Sequence, residues 1–184
     1  DCTIPAEYVL MMHFMDDIDT DLEIKLARFI RTKQDTEHGG WPLYYGGHFE
    51  LSCTVKAYYA LKLVGDSPEA PHMVAARTAI LSHGGASQAN VFTRILLAMY
   101  GHLPWRGVPF MPVEIILLPK WFPFHLSKVA YWSRTVTVPL TILCSLRAKA
   151  ANPHKINVRE LFTIDPEKER DYFPVPVSYT HLRA

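Results

Sequence analysis

The chain predicts an all-α fold built from antiparallel helix pairs, in the manner of an α/α barrel left incomplete. Three observations carry this. Apolar residues recur at helical spacing in one segment after another. Glycine and proline fall at the ends of those segments, where helices stop and start. Alternating apolar and polar runs joined by hairpin turns, the mark of a sheet, do not occur. Successive pairs at similar spacing point to a helical repeat or barrel.

The elements follow in order. After Pro5, residues Tyr8, Met11, Met12 and Met15 recur at i, i+3, i+4 and i+7, so a first helix is expected to pack on that face. Thr20 and Glu23 form a T-x-x-E capping-box pattern. They open a second helix whose Leu22, Leu26, Phe29 and Ile30 share a face. Residues 33–50 read as a loop, punctuated by Gly39-Gly40 and Gly46-Gly47. A third helix is expected over 52–63 with Gly65 as its stop, and a fourth over 71–82, with Pro71 at its start and Gly84-Gly85 beyond its end. A fifth spans 90–100 and is stopped by Gly101. A proline-rich connection follows, then a short helix over 113–118, a long one over 127–146, and a turn over 158–162.

Composition narrows the function classes. Apolar residues make up 49% and charged residues 20% of the chain, which is a globular balance. The net charge of +1 leaves no electrostatic footprint for nucleic acid, so none is expected as a partner. Cys2, Cys53 and Cys144 are odd in number and lack CxxC spacing, which argues against a disulfide framework and a zinc site. Residues 108–126 are apolar but hold Glu114, Lys120 and four prolines, so they do not form a membrane-spanning helix. The chain has no initiator Met, and residues 177–184, VSYTHLRA, look like a translated transposase adapter from short-read library preparation. Residues 1–176 are therefore read as part of one domain, 177–184 as an artefact, and the chain as a piece of a longer protein.

Several chemical motifs can be set aside. The run Asp16-Asp17-Ile18-Asp19-Thr20-Asp21 resembles a magnesium-binding DDxxD, but Thr20 stands where the last Asp belongs. DxDD fails as well, since Asp17-Ile18-Asp19-Thr20 lacks its final acid. A solvated turn with acids near a helix N-terminus accounts for the run. No phosphate loop, H-E-x-x-H or Ser/His/Asp arrangement is present, and the nine histidines are scattered.

Other patterns are more specific. Lys25-Leu26-Ala27-Arg28-Phe29-Ile30, followed by Gln34 and by Gly39-Gly40-Trp41, resembles the QW repeat of triterpene cyclases. In that pattern Gln34 bonds backbone groups at a helix end and Trp41 seals the turn. A second, degraded copy over 76–85 has His83 where Gln would stand. The segment from Gly39 to Gly47 leads into Thr54-Val55-Lys56-Ala57-Tyr58-Tyr59-Ala60-Leu61-Lys62. Further on come Trp105, Arg106, Pro112, Glu114, Trp121, Pro123, Trp132, Arg134 and Pro139. On physics alone this last block reads as aromatic core around a kinked connection. Taken together, order and spacing over residues 2–162 resemble the N-terminal region of squalene–hopene cyclases.

The resemblance implies a fold, an activity and a site. The fold is part of an α/α barrel. The whole enzyme would protonate squalene and close its rings through a carbocation cascade to hopene or hopanol, with neither metal nor organic cofactor. Trp132 and Phe92 fall on aromatics that line the substrate cavity, and Glu7 on a glutamate at its polar end. Their ordinary alternatives are a core Trp, a core Phe and a solvated Glu at a helix start. Gln34, Gly39 and Trp41 carry the structural QW motif. The catalytic DxDD is absent from these 184 residues, so the chain alone is expected to be inactive. The resemblance also implies monotopic attachment to the cytoplasmic face of a bacterial inner membrane, through parts outside this chain, and a homodimer. An oxidosqualene cyclase and a non-catalytic α/α-toroid interaction domain are the alternatives.

Overall fold

A computed structural model describes residues 1–123, 125–170 and 172. The adapter-like segment 177–184 lies outside the described residues. Among the described residues, six α-helices carry the fold: α1 (Thr3–Met15), α2 (Thr20–Thr32), α3 (Leu51–Val64), α4 (Pro71–Ser82), α5 (Val91–Met99) and α6 (Tyr131–Leu146). Short 3₁₀ turns link them, and no strand occurs among the described residues. The fold is all-α, as the periodicity predicts. The chain divides into two compact units, Asp1–Val108 with the described residues from Ala150 onward, and Pro109–Lys149.

α3 is the axis of the first unit. Eleven of its fourteen residues are buried. A helix apolar all round belongs in the interior, and α1, α2, α4 and α5 each pack against this one. Glu50 caps its start, its carboxylate accepting from the Cys53 amide at 2.5 Å. Gly65 ends it at φ 111°, a left-handed angle that glycine adopts without a Cβ penalty. Pro71 starts α4 in its first turn, where a missing N–H costs nothing. The Asn90 carboxamide oxygen accepts from the Thr93 amide at 2.9 Å and starts α5. The returning segment bonds back by its amides, Ala150 to the Met99 carbonyl and Ala151 to that of Phe14.

Two expectations about the first helices need correction. The buried side of α1 is Ala6, Val9, Leu10, Met12 and His13, while Tyr8, Met11 and Met15 are exposed. α1 is apolar on most of its circumference, so periodicity offers several stripes; the side with small Ala6 and Val9 is the one that packs. The expected capping box at Thr20 is not formed. α2 starts one residue earlier, with the Asp19 carboxylate accepting from the Leu22 amide at 3.0 Å. Glu23 therefore falls past the capping position and turns inward to His13, Oε1 to Nε2 at 2.5 Å. Of the predicted α2 face only Ile30 is buried and Phe29 is exposed, while Ala27, outside that face, is buried.

The second unit is held by α6 and the 3₁₀ turn Val113–Leu117, which replaces the short helix expected there. α6 begins at Tyr131 rather than 127, because Val129 is extended, with φ −93° and ψ 143°. Pro139 sits inside α6 and withholds one amide from its ladder. Thr141 is the buried residue of this helix.

Candidate functional site

The turn between α2 and α3 is the most densely bonded part of the predicted motif. Gln34 donates both amide hydrogens to carbonyls, to Gly39 at 2.7 Å and to His72 at 2.8 Å. His72 belongs to the first turn of α4. Trp41 is fully buried, and its indole N–H donates to the Ile30 carbonyl at 2.8 Å, in the last turn of α2. Its own amide donates to the Thr54 hydroxyl at 3.0 Å, in the first turn of α3. Three helices therefore meet at two side chains. Gly39 has φ +71°, and a Cβ there would lie 3.2 Å from Ala75. A Cβ on Gly40 would lie 2.6 Å from the Phe49 ring and 2.7 Å from the Thr54 hydroxyl, so any larger residue there forces those side chains to shift. Asp35 accepts from the amides of His38 and Glu37, which hold its carboxyl below the usual range. In the degraded copy, His83 stacks on Phe49 with ring centres 4.1 Å apart.

The three candidate cavity residues all face outward. Phe92 is the second residue of α5 and 58% exposed. The Asn90 amide donates to the Ser52 hydroxyl at 3.0 Å and pins the start of that helix to α3. Trp132 is the second residue of α6, in the second unit, and 72% exposed. Neither side chain is packed in the interior formed by the described residues. Glu7 lies on the exposed side of α1 and accepts from the ammonium of Lys56 at 2.8 Å. The simple alternative of a solvated helix-start Glu therefore omits its partner.

Lys56, the partner of the candidate Glu7, is a residue that sequence reasoning missed. It is only 6% exposed, in the middle of buried α3. The signal was present: a lone lysine inside the apolar run from Thr54 to Leu61, where an unpaired charge would be costly. A second missed feature is a buried polar cluster. His102 Nε2 lies 2.7 Å from the Tyr59 hydroxyl, and Tyr100 donates to the Leu10 carbonyl. Burial pushes the phenols of Tyr59 and Tyr100 up and His102 down, to about 4. Beside it, Glu160 accepts from Lys62 and from Tyr58. Burial alone would raise that carboxyl, but the hydrogen bond from Lys62 and its charge bring it below its ordinary value. These groups are neutral donors or closed pairs, suited to holding the first unit together.

A cleft of about 390 Å³ is lined by Cys2, Lys33, Gln34, Tyr44 and Tyr45 among others, and by none of Glu7, Phe92 or Trp132. Among the described residues, no group of three His, Cys, Asp or Glu could hold a metal ion. None of the described helices is long and apolar enough to cross a membrane.

Comparison with known proteins gives a consistent result. The family profile described as the squalene-hopene cyclase N-terminal domain matches residues 1–183. The chain is similar to a squalene–hopene cyclase of Bradyrhizobium diazoefficiens, 53% identical over 167 residues, which is 90% of this chain and 25% of the relative. It is similar to one of Zymomonas mobilis, 55% identical over 166 residues, again 90% of this chain and 25% of the relative. It is also similar to one of Schizosaccharomyces japonicus, 50% identical over 176 residues, 96% of this chain and 27% of the relative. The chain thus spans about a quarter of the length of the curated relatives it matches.

Proposed function

We propose a function from one premise: the chain belongs to the squalene-hopene cyclase N-terminal domain family. On that premise it is the N-terminal part of a cyclase that converts squalene to hopene or hopanol. A proton adds to a terminal double bond of squalene, ring closures carry the cation along the chain, and loss of a proton or capture of water ends the cascade. Residues 1–176 supply part of the cavity wall, and residues 177–184 play no part.

The observation that carries this reading is the identity of 50% or more to named squalene–hopene cyclases over nine-tenths of the chain or more. The outward aromatics support it. Phe92 and Trp132 are large apolar side chains with exposed ring faces, and such faces attract a cation through their quadrupole. A wall of this kind also keeps water from a migrating charge. The acid that starts the cascade is not in this sequence, because no DxDD occurs in it. The whole protein then lies on the cytoplasmic face of a bacterial inner membrane, since its substrate partitions into lipid, and pairs as a homodimer.

The test joins residues 1–176 to the remainder of the Bradyrhizobium cyclase and supplies squalene. The hybrid is expected to form pentacyclic products, and the 184-residue chain alone none. A folded hybrid without cyclised product would overturn the reading; product from the chain alone would overturn the assignment of the acid to another segment.

A further inference from the structure

Glu7 stands in an unusual place on α1. The exposed side of that helix carries Ile4, Tyr8, Met11 and Met15, a row at i, i+4, i+7 and i+11. Glu7 lies one turn from Ile4 and from Met11, in the same row. It is the sole Asp, Glu, Lys or Arg of α1. A single carboxylate thus interrupts an apolar, outward-facing surface.

The pairing is lopsided. The Glu7 side chain is 48% exposed, while that of Lys56 is 7% exposed and comes from the buried axis helix. For stability alone, an apolar side chain of similar length would fill the Lys56 position as well or better, because burying an ammonium costs desolvation. Lysine at this position does what an apolar residue cannot: it holds one oxygen of an exposed carboxylate from behind, at 2.8 Å, on a stem fixed by packing.

We propose that Lys56 is a positioning residue, which acts by fixing the Glu7 carboxylate at the polar point of the cavity wall. The proposal rests on the reading of Glu7 as a cavity residue given above. It also sets which kinetic quantity responds. Squalene is a hydrocarbon and offers no hydrogen bond to a carboxylate, so loosening Glu7 does not weaken substrate binding. It alters the steps after binding, and therefore kcat rather than KM.

The experiment uses the hybrid cyclase carrying residues 1–176, with Lys56→Met, Lys56→Arg, Glu7→Gln and the Glu7→Gln/Lys56→Met double variant. Lys56→Met is expected to lower kcat roughly ten-fold or more, with KM within about two-fold of the parent. Its thermal midpoint should be unchanged or higher. Lys56→Arg should recover most of the lost turnover. On the Glu7→Gln background Lys56→Met should add little, since both act through one carboxylate. Unchanged kcat in Lys56→Met would overturn the proposal, as would full additivity of the two substitutions. If Lys56→Met does not fold, Lys56→Gln and the Arg variant carry the same comparison. An active parent with indifferent variants refutes Lys56 alone. A folded parent with no cyclised product refutes the underlying reading, and this proposal with it.

Discussion

His102 and Tyr59 meet 2.7 Å apart inside the first unit, imidazole nitrogen to phenol oxygen, with ring centres 5.1 Å apart and the rings nearly perpendicular. Burial is the main reason that His102 takes a proton only near about 4, against an ordinary value of 6.5; the nearby Lys62 charge acts in the same direction.

The sign of the consequence follows. Between pH 6.5 and about 4 the unfolded chain binds a proton at His102 that the folded chain refuses. Stability therefore falls as pH drops through that window and this contribution levels off below it. The loss is on the order of 3 kcal/mol. Denaturant melts of the 184-residue chain at pH 7, 5.5 and 4 should show it. His102→Gln should flatten the profile in the same interval. A wild-type profile already flat from pH 6.5 to 4 would contradict the burial of a neutral imidazole.

The α2–α3 turn should respond sharply to truncation. Trp41→Ala removes a fully buried ring and the indole donor to Ile30, and is expected to cost about 3–5 kcal/mol. Gln34→Ala leaves the Gly39 and His72 carbonyls without that donor and is expected to cost about 1–3 kcal/mol. Equilibrium urea unfolding orders the two. A larger cost for Gln34→Ala than for Trp41→Ala would mean that packing matters less here than polar satisfaction.

The thiols give an independent check on burial. Cys2 is pushed up to about 11, mainly by burial and then by the nearby Cys53 thiol, and Cys53 is raised by burial as well. The thiolate is the reactive form. At pH 8 iodoacetamide should label neither residue in the native chain at an appreciable rate, and both promptly in urea. Rapid native labelling of Cys53, followed by peptide mapping, would show that the start of α3 is open to solvent.

In the hybrid cyclase, Phe92→Leu and Trp132→Leu keep an apolar wall but remove the aromatic faces. If those faces steady a cation, each should lower turnover about ten- to thirty-fold, the equivalent of one desolvated cation–π contact. Product analysis by gas chromatography should also reveal cascades that stop early. Full turnover to the parent's product mixture by both variants would remove these residues from the cavity.

What the sequence disclosed tracks how local each signal is. α4 spans Pro71–Ser82 and α3 Leu51–Val64, within a residue of expectation, because Pro71 and Gly65 mark their ends through backbone geometry alone. The packing side of α1 was not legible. Its apolar residues surround the helix, and the small Ala6 and Val9 decide which side α3 can approach. Glu23 was read as a cap because its partner, His13, lies on another helix. Trp132 and Phe92 read as core or cavity residues by composition, and their exposure in this chain was not legible from it. The lysine behind Glu7 required three dimensions, since 49 positions separate the pair.

The double donation of Gln34 has a kinetic meaning. One side chain closes a 38-residue separation between the end of α2 and the start of α4. The two helix ends cannot fray independently while that amide is engaged. Native-state hydrogen exchange should therefore find the last turn of α2, the glycine turn and the first turn of α4 opening together, as a single cooperative unit of the protein's fluctuations.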